Sequence, residues 1–320
     1  MAKTSTTIYS AAELSQLLST LEEILDTAPN IEPDYSLRPQ IKNIEYWFDD
    51  ESFENLLKLK TAIFNLCCEG KSRALMLTAF GDIIRACSKA ERQSLKPYIS
   101  SKYAKVPAPV FSEYEKISNK YLKAIASNHG NRCSGINWVG SDATDFSLNN
   151  AIDLAITSPP YINAMDYTRC IKLESSWVGT MDEQILASVR QGQLGEPSRR
   201  HLLSNEEFIL ELCTKEFCKI KERDPIRFST AVAFFEDMQK NLVCVHRSLK
   251  PNGQYFLIVG NSSIRGIEIE THKIIAAVAE EVGFSWDHYF NYPIRNHRTS
   301  IPRGNNGGKI REEHVIGLSI

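Results

Sequence analysis

The stretch Ala151-Ile152-Asp153-Leu154-Ala155-Ile156-Thr157 runs without interruption into Ser158-Pro159-Pro160-Tyr161. A short apolar run of this kind, bounded by asparagines on one side and prolines on the other, has the length and composition of a strand buried in a parallel sheet. Each proline fixes φ at about −65° and removes a backbone N–H, so the chain leaves such a sheet in a stiff turn whose carbonyl oxygens meet no competing donors. In open α/β sheets, ligands bind beyond the carboxyl ends of the strands. This junction therefore constrains the fold class and points to where a site should lie.

The flanking sequence divides into two kinds of pattern. Up to residue 130 every periodic segment has helical spacing: Ala11 to Leu25 with Ser10 as N-cap, Ser52 to Cys68, Arg73 to Cys87, and Phe111 to Ser127 after the loop from Pro97 to Pro109. Met1 to Ser5 is small and polar and is expected to be disordered, and residues 28–41, with three prolines, read as an extended linker. Beyond residue 130 short runs rich in Ile and Val appear at Ile136 to Val139, Ile152 to Thr157 and Tyr255 to Val259. Amphipathic helices cover Ala231 to Leu249 and His272 to Val282, and Phe284 to Tyr292 with His314 to Leu318 reads as a terminal strand pair. Alternating strand and helix predicts an α/β sheet with helices on both faces, so we expect a helical region over 1–130 and an α/β domain over 131–320.

Composition excludes rather than assigns. The formal charge of −2 provides no bulk attraction to a polyanion, so any nucleic-acid surface has to come from local clusters of Lys and Arg. Eight cysteines, at 67, 68, 87, 133, 170, 213, 218 and 244, form neither a CxxC pair nor a Cys/His quartet, and no metal site is expected. There is no signal-like opening and no apolar stretch of roughly 20 residues, which predicts a cytoplasmic protein without a membrane partner.

The double-proline turn suits one chemistry in particular. The exocyclic amine of a nucleobase is a poor nucleophile because its lone pair is delocalised into the ring. Hydrogen bonds from its two N–H groups to Ser158 and to the Pro159 carbonyl localise that pair toward an electrophilic methyl group, and Tyr161 stacks on a base extruded from its duplex. Alignment of amine, methyl and sulfur then supplies the remaining acceleration. The plainer alternative is a strand that ends in a Pro-Pro turn with an aromatic ring packed against it.

Several further segments fall in a telling order around the motif. Gly140-Ser141-Asp142-Ala143 lies one connection upstream; Asn163, Asp166-Tyr167, Arg169 and Lys172-Leu173 follow; Leu249-Lys250-Pro251-Asn252-Gly253 then leads into the strand ending Val259-Gly260-Asn261-Ser262. In this order the chain resembles the DNA amino-methyltransferases, which act on the N4 amine of cytosine or the N6 amine of adenine. The SPPY form is more typical of the cytosine type. The resemblance extends from about Tyr46 to the C-terminus and implies a Rossmann-like sheet, S-adenosyl-L-methionine as cofactor and double-stranded DNA as substrate. It implies that Ser158, Pro159, Pro160 and Tyr161 form the amine pocket and that Asp142, with Ala143 and Thr157, lies at the cofactor. Asn163, Asp166, Tyr167, Arg169 and Lys172 are candidate contacts to the flipped nucleotide, although Asp166 and Arg169 at i, i+3 are equally suited to pairing on a helix surface. Arg298 and Arg303 lie in a basic stretch, Asn291 to Arg311, that contains no acidic residue and is a candidate phosphate-contacting loop or a solvated hairpin.

One expected piece is missing. The family holds the methionine end of its cofactor with a Gly-rich turn after a first strand, where close backbone approach requires glycine. No such turn precedes Asp142. Thr78-Ala79-Phe80-Gly81-Asp82 and Asn128-His129-Gly130 lie in or after helices, and no helix follows Arg303-Gly304-Asn305-Asn306-Gly307-Gly308. We therefore expect an incomplete sheet whose free edge accepts a strand from a second subunit that carries the Gly-rich turn. The alternatives are a divergent cofactor loop in this chain, or a non-catalytic DNA-binding subunit that keeps the fold; action on RNA is disfavoured.

Overall fold

A computed structural model of the chain describes residues 2–92, 94–127, 136–140, 142–162, 166–194, 214–295 and 310–320. They form two compact units, one made of residues 1–137 and 167–188, the other of 138–166 and 189–320.

The first unit is helical: α1 (Ala2–Thr6), α2 (Ala11–Thr27), α3 (Asp50–Leu66), α4 (Lys71–Ile84), α5 (Val110–Ser127) and α6 (Tyr167–Val178), followed by α7 (Glu183–Gln191) as far as Ser188. Ser10 caps α2 as expected: its Oγ accepts from the Glu13 N–H at 3.2 Å, and its own N–H donates to Glu13 Oε2 at 2.7 Å. That backbone donor is the main reason the Glu13 carboxyl is held at about 2. Met1 to Ser5 departs from the expected disorder, because Ala2–Thr6 forms a helical turn and Thr4 is buried, its hydroxyl 3.3 Å from that of Thr78. The linker folds into two 3₁₀ turns, Ala28–Asn30 and Tyr35–Leu37. Lys60 is nearly enclosed and donates to the Leu37 carbonyl at 2.7 Å. Burial depresses its ammonium to about 8. Lys105 ties the loop after α4 to the end of that helix by donating to the carbonyls of Arg85, Ser88 and Ala90 at 2.6–2.8 Å.

The change of pattern at residue 130 is not where the units divide, because α6 packs with the helical unit. The cause is Trp177, which is fully buried with its ring edge-to-face against Phe48, Phe53 and Phe80 at centroid distances of 5.4, 5.2 and 6.1 Å. Gly81 allows α4 and α6 to approach, since a Cβ there would stand 3.0 Å from a methyl of Val178.

The second unit is the α/β part. Its sheet contains β1 (Ile152–Thr157), β2 (Leu249–Gly260), β6 (Glu312–Ser319) and β5 (Ser285–Pro293), in that spatial order. β1 runs parallel to β2, and the other two pairings are antiparallel. Helices α8 (Thr214–Arg223), α9 (Pro225–Ser248) and α10 (Thr271–Val282) pack on it, burying Phe217, Phe235, Met238, Leu242, Ile275 and Val278 with Tyr255, Leu257 and Val259 of β2. This is the mixed α/β architecture expected from the alternation of strands and helices. A small hairpin, β3 (Ser262–Ile264) and β4 (Ile267–Ile269), turns at Arg265-Gly266, both at positive φ, as a two-residue hairpin turn requires. Ile152 pairs with Leu249 and Leu154 with Gln254, so Lys250–Gly253 bulges from the ladder, and Lys250 Nζ lies 2.9 Å from Asp153.

One expected strand does not form. Residues 136–139 are irregular, with Ile136, Trp138 and Val139 each at least half exposed. A strand exists only with a neighbour, and among the described residues nothing pairs with the outer edge of β1. No described helix is long and apolar enough to cross a membrane.

Replacing Trp177 with alanine removes the ring that α3, α4 and the Phe48 segment share. We expect a loss of about 3–5 kcal/mol in chemical denaturation, and a loss below about 1 kcal/mol would remove Trp177 from its central position.

Candidate functional site

Thr157, the last residue of β1, pairs with Leu257 in the middle of the sheet, so the following turn emerges at the carboxyl end of a parallel pair. Ser158 is exposed there, Pro159 is buried, and Pro160 and Tyr161 are half-buried. Ile162 is pinned in the core of the unit at 3% exposure, which anchors the turn from beyond. The four motif residues are therefore fixed at both ends while Ser158 faces solvent.

The ring of Tyr161 lies over the backbone of Gly260. A Cβ at that glycine would come within 2.9 Å of Tyr161 Cε1 and 2.6 Å of Ile310 Cγ2, so only the bare backbone fits beneath the ring. The phenol donates to Glu313 Oε1 at 2.8 Å. Glu313 is paired with Gly260 across β2–β6 and with Tyr292 across β5–β6. Tyr292 donates to its other oxygen, and that bond to a carboxylate is the chief cause that raises the Tyr292 phenol above its ordinary value. One carboxylate thus receives two phenols. Glu313 and Tyr292 escape sequence inspection because β-pairing brings them to residues far apart in the chain; the only local hint is a glutamate at the start of a terminal strand.

Behind this cluster, His272 at the start of α10 and His314 on β6 are both nearly enclosed, and their rings stack at 3.9 Å and 2°. His314 Nδ1 is 2.8 Å from the Tyr289 hydroxyl, and His272 Nδ1 is 2.8 Å from Asn261 Oδ1, just past the end of β2. Burial, reinforced by the neighbouring His314, lowers His272 from 6.5 to about 4.

Asp142 and Ala143 lie in the irregular segment before β1, which the Ala143 carbonyl joins to α9. Asp142 Oδ1 accepts from the Thr144 N–H at 2.8 Å and its hydroxyl at 2.7 Å, closing an Asx turn that leaves the residue exposed. The Ala143 carbonyl accepts from Asn241 Nδ2 at 2.7 Å, and Asn241 Oδ1 in turn accepts from the Tyr255 hydroxyl at 2.7 Å. From there the chain follows α9 to β1, with Leu148 and Ala151 bonded to Ser248. Asp142, Ala143, Thr157 and the motif are thus all held by the second unit.

The candidate DNA contacts fall in both units. Asp166 lies in the second unit, 3.9 Å from Arg190. Tyr167, Arg169 and Lys172 lie on α6 in the first unit. Lys172 is 3.5 Å from Glu183, whose carboxyl is held below its usual value chiefly by the Lys42 N–H. That engagement ties α6 to the start of α7 and occupies the Lys172 charge. Arg169 is exposed. Asn163, Arg298 and Arg303 lie outside the described residues.

No family model matches the chain. It is 23% identical to the Type II methyltransferase M.MvaI of Kocuria varians over 326 residues, which cover 93% of this chain and 70% of that protein. It is 27% identical over 179 residues to the Type II methyltransferase M.AvaI of Nostoc sp., covering 51% of this chain but only 37% of that protein. A 45-residue segment is 49% identical to M.BsoBI of Geobacillus stearothermophilus, and covers 9% of it. Among solved structures, a DNA modification methylase of Thermus thermophilus complexed with S-adenosyl-L-methionine aligns over 56% of this chain and 52% of its own, at 17% identity and a TM-score of 0.28.

Because His272 is neutral when folded and free to protonate when unfolded, the unfolded chain binds the extra proton between about pH 6.5 and 4. Stability is therefore expected to fall as pH drops through that window. Urea unfolding of the wild type and of His272→Phe at several pH values checks this: the variant should show the flatter profile, and identical profiles would contradict it.

Proposed function

We propose that this chain is the catalytic-motif part of a DNA methyltransferase that transfers a methyl group from S-adenosyl-L-methionine to the exocyclic amine of cytosine (N4) or adenine (N6). The observation that carries the reading is the Ser158-Pro159-Pro160-Tyr161 corner, with Ser158 exposed at the carboxyl end of β1 and Tyr161 laid over Gly260. The likeness to relatives named as Type II methyltransferases supports it.

In this reading the target amine donates one hydrogen bond to the Ser158 hydroxyl and one to the Pro159 carbonyl. Both acceptors draw the N–H bonds out of conjugation and leave the lone pair directed away from the turn. Tyr161 offers its ring to the unstacked base, which holds the amine in register. When bound, the cofactor supplies a sulfonium methyl group as electrophile. The Ser158 hydroxyl and the Pro159 carbonyl would keep the nitrogen lone pair aimed at that methyl group and would pass the proton shed by the methylated amine to water. Double-stranded DNA is the proposed substrate. Asp166, Tyr167 and Arg169 are proposed nucleotide contacts, and Asn163, Arg298 and Arg303 keep that proposed role from sequence alone.

The residues present fit the cofactor only in part. Asp142 and Ala143, on their Asx turn, with Thr157 are proposed to meet the adenosine. Among the described residues no strand precedes β1 to carry a glycine turn for the methionine end. Among the described residues β1 is an edge strand, and its Leu154 and Ile156 are 50% and 64% exposed, unusual for a continuous apolar strand. We therefore propose that a second polypeptide adds a strand to that edge and brings the missing turn.

Two measurements test this. Methyl transfer to duplex DNA should fall by about 100-fold or more in Ser158→Ala and Tyr161→Ala, in line with the loss of alignment, with the thermal midpoint little changed; unaltered transfer would favour a non-catalytic subunit. Calorimetric titration of S-adenosyl-L-methionine into the isolated chain should show weak or no binding, and tight binding would overturn the two-polypeptide reading.

A further inference from the structure

Tyr161 reaches its place by a route the motif alone does not specify. A tyrosine after two prolines has a fixed backbone but free side-chain torsions, so a ring expected to lie flat against a base needs something to hold it. Two features provide this. The glycine beneath the ring lets it settle on the β2 backbone, and the phenol oxygen is held at 2.8 Å by Glu313. Glu313 is itself rigid: it sits on β6 between two hydrogen-bonded strands, opposite Gly260 on one side and Tyr292 on the other. Its second oxygen is occupied by the Tyr292 phenol, which fixes the carboxylate plane. Bonds to an ionised acceptor are stronger and more directional than neutral ones.

The arrangement has a cost that argues for a purpose. A half-buried carboxylate next to a site for a polyanion repels phosphate, and a neutral acceptor would satisfy the phenols without that penalty. We propose that Glu313 is a positioning residue that clamps the Tyr161 ring in the orientation required to stack on the target base. The inference rests on the base-pocket reading given above. Glu313 touches neither amine nor methyl group; it acts through Tyr161, and Tyr292 keeps it aimed.

The test uses the complete methyltransferase, with tritiated S-adenosyl-L-methionine and genomic DNA as probes. Glu313→Ala should lower kcat by about 10- to 100-fold, the range for a misplaced reacting group, with KM for DNA changed less than about twofold. Glu313→Gln, which still accepts from the phenol, should recover most of that loss. Tyr161→Phe lacks the hydroxyl and should resemble Glu313→Ala, and the double variant should be no worse than either alone. A kcat within about twofold of wild type for Glu313→Ala, or multiplicative losses in the double variant, would overturn the clamp. A separate readout isolates this from the parent reading: 3-fluorotyrosine at position 161 should change its fluorine resonance in Glu313→Ala whether or not methyl transfer is seen, and an unchanged resonance also overturns it. Failure of Ser158→Ala to affect transfer would instead remove the base-pocket reading while leaving the contact in place.

Discussion

The α/β unit depends on β2. It pairs on both sides, parallel to β1 and antiparallel to β6, and its inward side chains Tyr255, Leu257 and Val259 are almost wholly withdrawn from water. Burial of three large apolar groups is worth several kcal/mol before entropy is counted. It also fixes register, because a slip of one residue would turn all three outward. Register in turn sets the site. With Thr157 opposite Leu257 and Gly260 opposite Glu313, β1 stops short of the level at which β2 ends and β6 begins, and the turn after Thr157 spans the remainder to bring Tyr161 to Gly260 and Glu313. The proline turn, the bare glycine and the carboxylate meet there because one ladder aligns them.

That same ladder explains the uneven finish of the sheet. β6 is covered and its central residues are buried, whereas every residue of β5 is exposed and β1 leaves apolar side chains open to solvent. Free strand edges favour pairing with another chain, and natural proteins usually protect them with charge, bulges or cover. Lys250 and Asp153 supply a charge pair and a bulge only at the start of β1. The half nearest Ser158 has no such protection among the described residues.

Much of the secondary structure was legible because its causes are local. Helical spacing of Leu17, Leu21 and Ile24, or of Leu56, Leu57 and Ile63, reflects which side faces the core, and the Ser10 cap is written within four residues. The junction at Ser158 was legible for the same reason. What depended on distant partners was not. The allegiance of α6 is decided by Phe48, Phe53 and Phe80, far upstream of Trp177. The clamp on Tyr161 joins residues 152 positions apart. Ile136 to Val139 has strand composition but, among the described residues, no strand to lie beside, a reminder that β-propensity describes a fit to neighbours. Met1 to Ser5 erred the other way, since small polar residues suffice to make one helical turn when Thr4 has somewhere to be buried.

The path of the chain between the units has a practical meaning. After Asp166 it passes into the helical unit for one helix and part of the next, then resumes the α/β unit at Val189. Neither unit can be excised at a single cut. An attempt to graft the sheet alone, by trimming everything before residue 138, would carry Trp177 along without the three phenylalanines that shelter it and leave a bare indole on the product. Modular reuse of the Ser158–Tyr161 turn thus requires that the helical unit travel with it.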